Sequence, residues 1–142
     1  VYKRQVQDER RLRHWLAFLY FCRGSMLLYG GTEFAPRRQV GLFDADDNFG
    51  DKRSDLSDFL RRCKAMKLEL PLESAVWYEV SGGTVIGHYK SPAGEVTGVF
   101  DLSGEGEATV VERADGVYDN QLGGDLTVTD GHVRTDGDPI VF

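Results

Sequence analysis

The first seventy residues show helical patterns on either side of a short apolar run. Residues 7–23 are polar over QDERRLRH and then apolar on every face through WLAFLYFC, which predicts a helix whose second part must be covered on all sides. The run MLLY at 26–29 predicts a strand buried on both faces. A second helix is expected to begin at Ser54 or Asp55, both good N-caps, and to end before Pro71. Because this half of the chain cannot cover its own apolar helix, the pattern is typical of one slice of a larger α/β layer.

Two glycines and one acid follow the predicted strand. Gly30 and Gly31 mark a close approach of the backbone to another part of the fold. Parallel α/β folds keep their sites at the C-terminal ends of strands, so Glu33 is a candidate functional residue. The polar loop from Thr32 to Arg53 is long for a compact domain, and we expect it to line a site.

The second half of the chain alternates short β-branched and aromatic segments with turn residues. Pairs such as Gly82-Gly83 and Asp130-Gly131 separate these segments at regular short spacing, which predicts an antiparallel β-sandwich. Along 96–102 the even-numbered residues are expected to share one face and the odd-numbered residues the other. The predicted strands are VWYEV (76–80), TVIGHYK (84–90), VTGVFDL (96–102), ATVVE (108–112), LTVTD (126–130) and IVF (140–142).

Aromatic side chains are spread over these strands, at Trp77, Tyr78, Tyr89, Phe100 and Tyr118. Two interpretations are open. Exposed rings form platforms on which sugars stack, and Trp77, Tyr78 and Tyr89 are the candidates for that role. Core packing is the simpler interpretation, because aromatic residues dominate the cores of small domains.

The net charge of −6 conceals an asymmetry between the two halves. Residues 1–70 carry 14 Lys and Arg against 10 Asp and Glu, whereas residues 71–142 carry 3 against 13, a net of −10. This change in composition places a domain boundary near Pro71. The acidic second half argues against nucleic-acid binding, which needs a basic surface. The longest apolar run, at 15–22, is too short to cross a membrane.

The cysteines and histidines show no spacing that would form a metal site. Cys22 and Cys63 each continue an apolar stripe at helical spacing, so two free, buried thiols are favoured over a disulfide. His14, His88 and His132 are isolated and are interpreted as ordinary surface or strand residues. We expect no cofactor.

The segment DADDNFGDKRSD resembles a calcium-binding loop only in part. Asp44, Asp46 and Asn48 occupy the first, third and fifth positions of such a loop. Phe49 stands where the turn requires glycine, and Asp55 stands where a bidentate glutamate is expected. A solvated acidic loop is therefore favoured. Calcium is possible in a longer parent protein, but this segment does not support it.

The stretch GSMLLYGGTEF at 24–34 resembles the last barrel strand of the α-amylase superfamily, glycoside hydrolase family 13. The residues that match the family pattern are Gly24, Leu27, Leu28, Tyr29, Gly31 and Glu33. The similarity continues through GLFDADDNFGDKRSDLSDFLRRCKAMK, which resembles the loop and final helix of the barrel. GVYDNQLGGDLTVTDGHVRTDGDPIVF at the end of the chain is similar to the last hairpins of the family's C-terminal β-sandwich.

The resemblance implies an α+β fragment, in which the helix-strand-helix remnant of a TIM (β/α)8 barrel is followed by an all-β antiparallel sandwich. Helix 7, strand 8 and helix 8 of the barrel would occupy residues 6–70, and the sandwich residues 71–142. The catalytic carboxylates of the family would lie upstream, so none of the residues present is expected to be catalytic. Tyr29, Gly31 and Glu33, with Arg37 and Arg38, would bind substrate or support the barrel mouth.

The first five residues, VYKRQ, resemble the translation of a transposase adapter end used in sequencing. We expect residues 1–5 to be an artefact and the chain to be a fragment of a longer enzyme. Whatever precedes Val1 would decide between a cytoplasmic and a secreted protein.

The resemblance implies that the parent cuts α-glucosidic bonds of starch-like glucans or malto-oligosaccharides with retention of configuration. Two alternatives are open. The sandwich alone would be a non-catalytic module that binds carbohydrate or caps the barrel, or the parent would be a glucosyltransferase or isomerase of the same superfamily.

Overall fold

The computed structural model describes residues 8–36, 52–105, 108–135 and 137–142. In these residues two helices precede a set of antiparallel strands, and a short 3-10 turn, Thr32–Phe34, lies between the helices. The helices are α1 (Glu9–Phe21) and α2 (Ser57–Glu69). The strands are β1 (Ala75–Ser81), β2 (Thr84–Ser91), β3 (Gly94–Asp101), β4 (Ala108–Val110), β5 (Gly116–Asp119), β6 (Asp125–Val128), β7 (His132–Arg134) and β8 (Ile140–Val141).

The main sheet has four antiparallel strands in the order β1-β2-β3-β8. Two small sheets, β4-β7 and β5-β6, are each made of two antiparallel strands. The predicted antiparallel β-architecture is confirmed. The short strands β5 and β7 were not among the predicted strands.

Two hydrophobic clusters lie on opposite faces of the main sheet. Adjacent residues contribute to different clusters: Phe100 and Val141 pack against the helices, whereas Val99 and Ile140 pack against the small sheets. Helices, main sheet and small sheets therefore form three layers, and the alternation predicted for 96–102 is confirmed. Because the helix-side cluster contains residues from both sides of the predicted boundary near Pro71, the helices and the main sheet share one core.

The ring of Phe21 anchors α1 on the main sheet. It lies over Gly87 and Gly98, which are register partners on β2 and β3. A Cβ atom at Gly87 would come within 2.5 Å of this ring, so the contact requires glycine. The rings of Tyr89 and Phe100, with centroids 5.0 and 5.2 Å from that of Phe21, complete the anchor.

The C-terminal end of α1 is satisfied by residues that are distant in sequence. The Lys67 ammonium donates to the carbonyls of Tyr20 and Cys22 at 3.1 and 2.7 Å. The Tyr89 hydroxyl donates to the carbonyl of Phe21 at 2.8 Å. The last carbonyls of a helix have no partner within the helix and favour a nearby cation, so these bonds fix α1 against α2 and β2.

The first predicted helix is confirmed with shorter ends, and its cover comes from both α2 and the main sheet. Asp8 caps it by accepting a hydrogen bond from the Arg10 backbone N–H. The main sheet and α2 bury Leu16, while Trp15 is half-buried and Leu19 stays 43% exposed. The helix that is apolar on every face is therefore enclosed on part of its surface only.

The predicted buried strand at 26–29 is not confirmed. These residues form no strand, and the side chain of Leu27 is 88% exposed. A strand exists only where a neighbour supplies the hydrogen-bond ladder, and none of the described strands pairs with this segment. The barrel remnant in the predicted fold class is accordingly not confirmed, and the observed fold is mainly antiparallel sheet with two helices.

The second helix begins at Ser57, later than predicted. The Asp55 carboxylate accepts a hydrogen bond from the Ser57 backbone N–H at 2.9 Å. Hydrogen bonding from the Ser57 side chain and from this backbone N–H lowers the pKa of Asp55. Asp58 lies in the first turn and Lys67 in the last turn, as the helix dipole favours. The chain leaves the helix before Pro71, as expected.

Both cysteines are free thiols. Cys63 is fully buried in the helix-side cluster, and burial raises the pKa of its thiol to about 12. Cys22 is half-buried at the end of α1. The apolar stripe predicted for Cys63 is therefore confirmed.

Candidate functional site

The segment that carries Glu33 is a tight turn with left-handed backbone at both ends. Gly31 has φ of 92° and Ala35 has φ of 45°. The carbonyl of Tyr29 accepts hydrogen bonds from the backbone N–H and the hydroxyl of Thr32, at 3.1 and 2.7 Å. A left-handed conformation costs an alanine roughly 1–2 kcal/mol and persists only where the surroundings impose it. The turn is therefore held in place by specific contacts.

Those contacts come from the residues that lead into α2. The Glu33 carbonyl accepts a hydrogen bond from the Leu56 backbone N–H at 2.7 Å. The Phe34 carbonyl accepts bonds from the backbone N–H groups of Arg53 and Ser54, at 3.0 and 3.3 Å. The Lys52 ammonium lies 4.2 Å from the centroid of the Phe34 ring. The glycine turn is thereby fixed to the start of α2, so the backbone that carries Glu33 is well defined.

The candidate side chains of this turn remain accessible. Tyr29 is 61% exposed, and the Glu33 side chain is half-buried. A half-exposed carboxylate on a fixed backbone can accept hydrogen bonds from ligand hydroxyls or hold a neighbouring cation. Arg37 and Arg38, which the sequence places beside it, lie outside the described residues.

The three candidate sugar-stacking residues have different environments. Tyr89 is fully buried under α1, so its candidate role as a stacking platform is wrong and the core interpretation holds for it. Tyr78 packs on the helix side of β1, where its ring meets Phe18 edge-on with centroids 6.1 Å apart, and burial raises the pKa of its phenol. Trp77 is 36% exposed and faces the side of the small sheets.

The indole of Trp77 stacks on an imidazole. Its ring is nearly parallel to that of His88, with an angle of 10° and a centroid distance of 4.8 Å. His88 is buried, and its Nδ1 lies 3.1 Å from Oε1 of Glu95, a contact at hydrogen-bonding distance. Although His88 looks isolated in the sequence, its ring therefore contacts two residues, Trp77 through the ring face and Glu95 through Nδ1.

Arg113 braces the same region from the small-sheet side. Its guanidinium donates to the Glu95 carbonyl at 2.6 Å and to the Thr97 hydroxyl at 3.3 Å. It also lies 5.5 Å from the centroid of the Phe142 ring. Thr97 is the register partner of His88, so one row across β1, β2 and β3 carries Trp77, His88 and Thr97.

The pairing of Trp77 with His88 could have been found from the sequence. Because Gly82 and Gly83 form a two-residue turn, the residue numbers of each pair of register partners on β1 and β2 add up to the same value. This places Trp77 opposite His88. The contact of His88 with Glu95 follows less directly, because it depends on the side-chain conformation. No sequence signal identifies Arg113, because it lies in the connection between β4 and β5, outside any strand.

Two concavities lie beside the small sheets. A groove of about 250 Å³ runs between β1 and β4 and is lined by Glu79, Thr84, His88 and Glu112, among others. A wider cleft of about 540 Å³ is lined by polar residues of β6 and β7, including Asp125, Thr127, His132 and Arg134. His88 in the wall of the groove stacks on Trp77, which is not itself a lining residue.

Within the described stretches, no group of three His, Cys, Asp or Glu side chains is arranged to hold a metal ion. The partial calcium loop, from Asp44 to Phe49, lies outside those residues. None of the helices in the described part of the chain has the length and apolar character needed to cross a bilayer.

Comparison with known proteins identifies both halves of the fold. The family model for the Bacterial Alpha amylase C-terminal domain matches residues 78–142. The crystal structure of an α-amylase from Lactobacillus plantarum superposes with a TM-score of 0.85 at 28% identity, covering 96% of this chain and 34% of that protein. A noncanonic maltogenic α-amylase, AmyB from Thermotoga neapolitana, gives a TM-score of 0.72 at 12% identity, covering 98% of this chain and 38% of that protein. A comparison with curated proteins gave no significant match.

The chain therefore spans about a third of the length of these solved amylases. The resemblance to the α-amylase superfamily that the sequence suggested is confirmed, since the match to the Lactobacillus plantarum enzyme covers nearly all of the chain. Residues 78–142 match the model of the bacterial α-amylase C-terminal domain, and nearly the whole chain is similar to the Lactobacillus plantarum α-amylase.

Proposed function

We propose that this chain works as the C-terminal part of a longer glycoside hydrolase, which acts on α-glucosidic bonds of starch-like glucans or malto-oligosaccharides. The observation that carries the proposal is the match to an α-amylase over 96% of the chain at 28% identity. Because that match extends well beyond the C-terminal domain at 78–142, it includes the helices and the turn that carries Glu33.

In this proposal α1, residues 26–29 and α2 are the last helix, strand and helix of a (β/α)8 barrel. The exposure of Leu27 and Tyr29 supports it, because a barrel strand needs neighbours on both edges and apolar cover on both faces. The rest of the parent would supply that cover and convert residues 26–29 into the strand that their composition favours.

The parent would use two close carboxyl groups, one as nucleophile and one as general acid and base, in a retaining double displacement. Those groups would lie in the remainder of the barrel. Tyr29, Gly31 and Glu33 would support the barrel mouth, since the backbone that carries them is fixed to the start of α2. Arg37 and Arg38 are proposed to act beside them.

The test is a longer protein that contains this chain. Purified enzyme is expected to hydrolyse maltoheptaose, and proton NMR should show the α-anomer as the first product. Products longer than the substrate would indicate a glucosyltransferase, and an isomerised product an isomerase. A protein that leaves α-glucans unchanged would refute the proposal.

The supporting role of Glu33 has a separate measurement. We expect Glu33→Gln to lower kcat/KM by about 10- to 100-fold, the size of a loss of positioning rather than of a reacting group. Glu73→Gln, on an exposed residue between α2 and β1, is the matched control and should leave kcat/KM unchanged. A complete loss of turnover in Glu33→Gln, with the fold intact, would instead make Glu33 catalytic.

A further inference from the structure

We propose that the free edge of β1 binds an extended, basic peptide segment, which adds to the main sheet as a further antiparallel strand. β1 stands at one end of the strand order β1-β2-β3-β8, so among the described strands it pairs on one side only. This edge is a different part of the chain from the turn that carries Glu33, and the proposal does not depend on the proposed glycoside hydrolase activity.

Three residues of β1 direct their backbone groups away from the sheet. The hairpin of β1 and β2 has a two-residue turn, so Ser81 and Thr84, which flank this turn, exchange both of their hydrogen bonds. Hydrogen-bonded pairs alternate along an antiparallel ladder, so every second residue before Ser81 also bonds to β2. The residues between them direct N–H and C=O outward, and these are Val76, Tyr78 and Val80. Within the described stretches, no other backbone group bonds to these three.

This edge lacks the features that usually prevent a sheet from pairing further. The register with β2 is unbroken from Ala75 to Ser81, so no bulge twists the edge away. The strand contains no lysine or proline, and Glu79 is its single charged residue. Tyr78 and Val80 are 40% and 72% exposed. A long, regular and accessible edge favours the addition of a strand.

The groove beside this edge favours cationic side chains in the partner. Glu79 lines the groove on the side of β1, and Glu112 lines it after β4. Among the described residues that line the groove, none is lysine or arginine. Residues 71–142 also carry a net charge of −10. An acidic or phosphorylated segment would therefore be repelled, whereas a basic one is attracted.

The two faces of β1 require a partner in which basic and apolar residues alternate. Directly opposed residues of an antiparallel pair lie on the same face of the sheet. The partner residue opposite Glu79 therefore lies on the side of the groove, where lysine or arginine suits it. The residues opposite Tyr78 and Val80 lie on the other face, where an apolar side chain suits them. A second copy of the chain fits less well, because its β1 has no basic residue to pair with Glu79 and two chains of net charge −6 repel each other.

The test uses the full chain of 142 residues and a capped heptapeptide of alternating valine and lysine, which matches the seven residues of β1. Calorimetry should show saturable binding with Kd below about 1 mM, weakening as the salt concentration rises. In hydrogen exchange followed by NMR, the peptide should slow the exchange of the amides of Val76, Tyr78 and Val80. The amides of Trp77 and Glu79 already bond to β2, so their exchange should not change.

Modified peptides separate strand pairing from charge attraction. N-methylation of the valines removes the N–H groups that face β1, so it should abolish binding. N-methylation of the lysines, whose N–H groups point away from β1, is the matched control and should leave Kd unchanged.

Variants of the chain test the same edge. Val80→Pro removes one outward N–H and keeps the ladder to β2, so it should weaken binding by about fivefold, the size of one lost hydrogen bond. Val80→Lys places a positive charge on the edge and should also weaken binding, and it supplies the measurement if Val80→Pro does not fold. Val117→Lys is its matched control, because Val117 is 70% exposed on β5, outside the groove.

Equal binding of the peptide with N-methylated valines, or protection that does not alternate along β1, would overturn strand addition at this edge. Equal affinity for a heptapeptide with glutamate in place of lysine would overturn the assignment to a basic segment. Slow exchange of the same three amides without peptide, increasing with protein concentration, would replace the basic segment by a second copy of the chain. None of these measurements involves glycoside hydrolysis, so a failure of this site and a failure of the proposed function are distinguishable.

Discussion

Substituting alanine for Gly98 tests whether α1 is docked on the main sheet as described. A Cβ atom at this position would lie 2.6 Å from Cζ of Phe100 and 3.0 Å from Cε2 of Phe21. Both rings are fully buried, so neither moves without disturbing the helix-side cluster. Removing glycine from a strand interior normally stabilises by about 0.5–1 kcal/mol. Overpacking of a buried core costs about 1–3 kcal/mol, so the net effect of Gly98→Ala is expected to be destabilising.

The measurement is urea or thermal unfolding of the full chain. A loss of about 1–2 kcal/mol would lower Tm by several degrees in a protein of this size, roughly 3–10 °C. Gly116→Ala is the matched control, since its Cβ would meet only an ordinary contact, 3.7 Å from the Tyr118 ring. This control should be neutral or slightly stabilising.

A double-mutant cycle with Phe21 then separates the ring contact from other effects. Phe21→Leu removes the ring edge that meets the new methyl group, so it should cost less in the Gly98→Ala background than in the parent chain. A coupling of about 1 kcal/mol exceeds the error of additivity between independent sites. If Gly98→Ala proves neutral and the coupling is zero, Phe21 does not lie over Gly98, and the docking of α1 described above is refuted.

Two further predictions concern buried titratable groups. His14 accepts a hydrogen bond from the Asp101 backbone N–H at its Nδ1, and burial lowers its pKa below the usual 6.5. As the pH falls, the unfolded chain therefore takes up this proton before the folded chain does. The contribution of neutral His14 to the free energy of unfolding is complete above about pH 6.5 and is lost as the pH falls through the pKa of the folded state. The free energy of unfolding changes by at most about 1.4 kcal/mol per pH unit from this group. His14→Gln should flatten this slope in urea titrations while the exposed control His132→Gln keeps it, and equal slopes for both would contradict the prediction. Since burial raises the pKa of Cys63 to about 12, its thiolate fraction near pH 8 is only about one in ten thousand. Ellman's reagent should modify the half-buried Cys22 first and Cys63 only after denaturation, and simultaneous modification of the two would show that Cys63 is accessible.

The β-half of the fold was largely predictable because its signals are local. Two-residue turns fix register, and alternation then fixes which side of the sheet each residue faces. At Asp130 and Gly131 both φ angles are positive, 50° and 68°, as the Asp-Gly pair suggests. The Asp115 carboxylate accepts hydrogen bonds from both of their backbone N–H groups, at 2.9 and 3.0 Å, which lowers its pKa. These hydrogen bonds join residues that are fifteen and sixteen positions apart in the sequence, so no local pattern predicts them.

The segment at 26–29 shows where local signals fail. Its composition favours a buried strand, but a strand is a property of a pair, and the described strands offer it no partner. The glycines that follow were expected to mark a close approach of the backbone. In the structure Gly31 instead takes the left-handed φ that glycine tolerates, and Glu33 lies on a backbone fixed by Leu56. The apolar run indicated only that other residues should cover it.

The aromatic residues of β1 and β2 illustrate the same distinction. The sequence pattern alone did not separate Trp77 from Tyr89, since both lie on consecutive predicted strands. What separates them is the face: Tyr89 pairs with Val76 and lies under α1, whereas Trp77 pairs with His88 and faces the small sheets. The helix layer makes one face of the main sheet a core, and the short strands of the other layer leave the edge beside β4 open. The ring of Trp77 on the second face is thus held by its stack on His88, whereas the rings of Tyr89 and Phe100 on the first face belong to the core around Phe21.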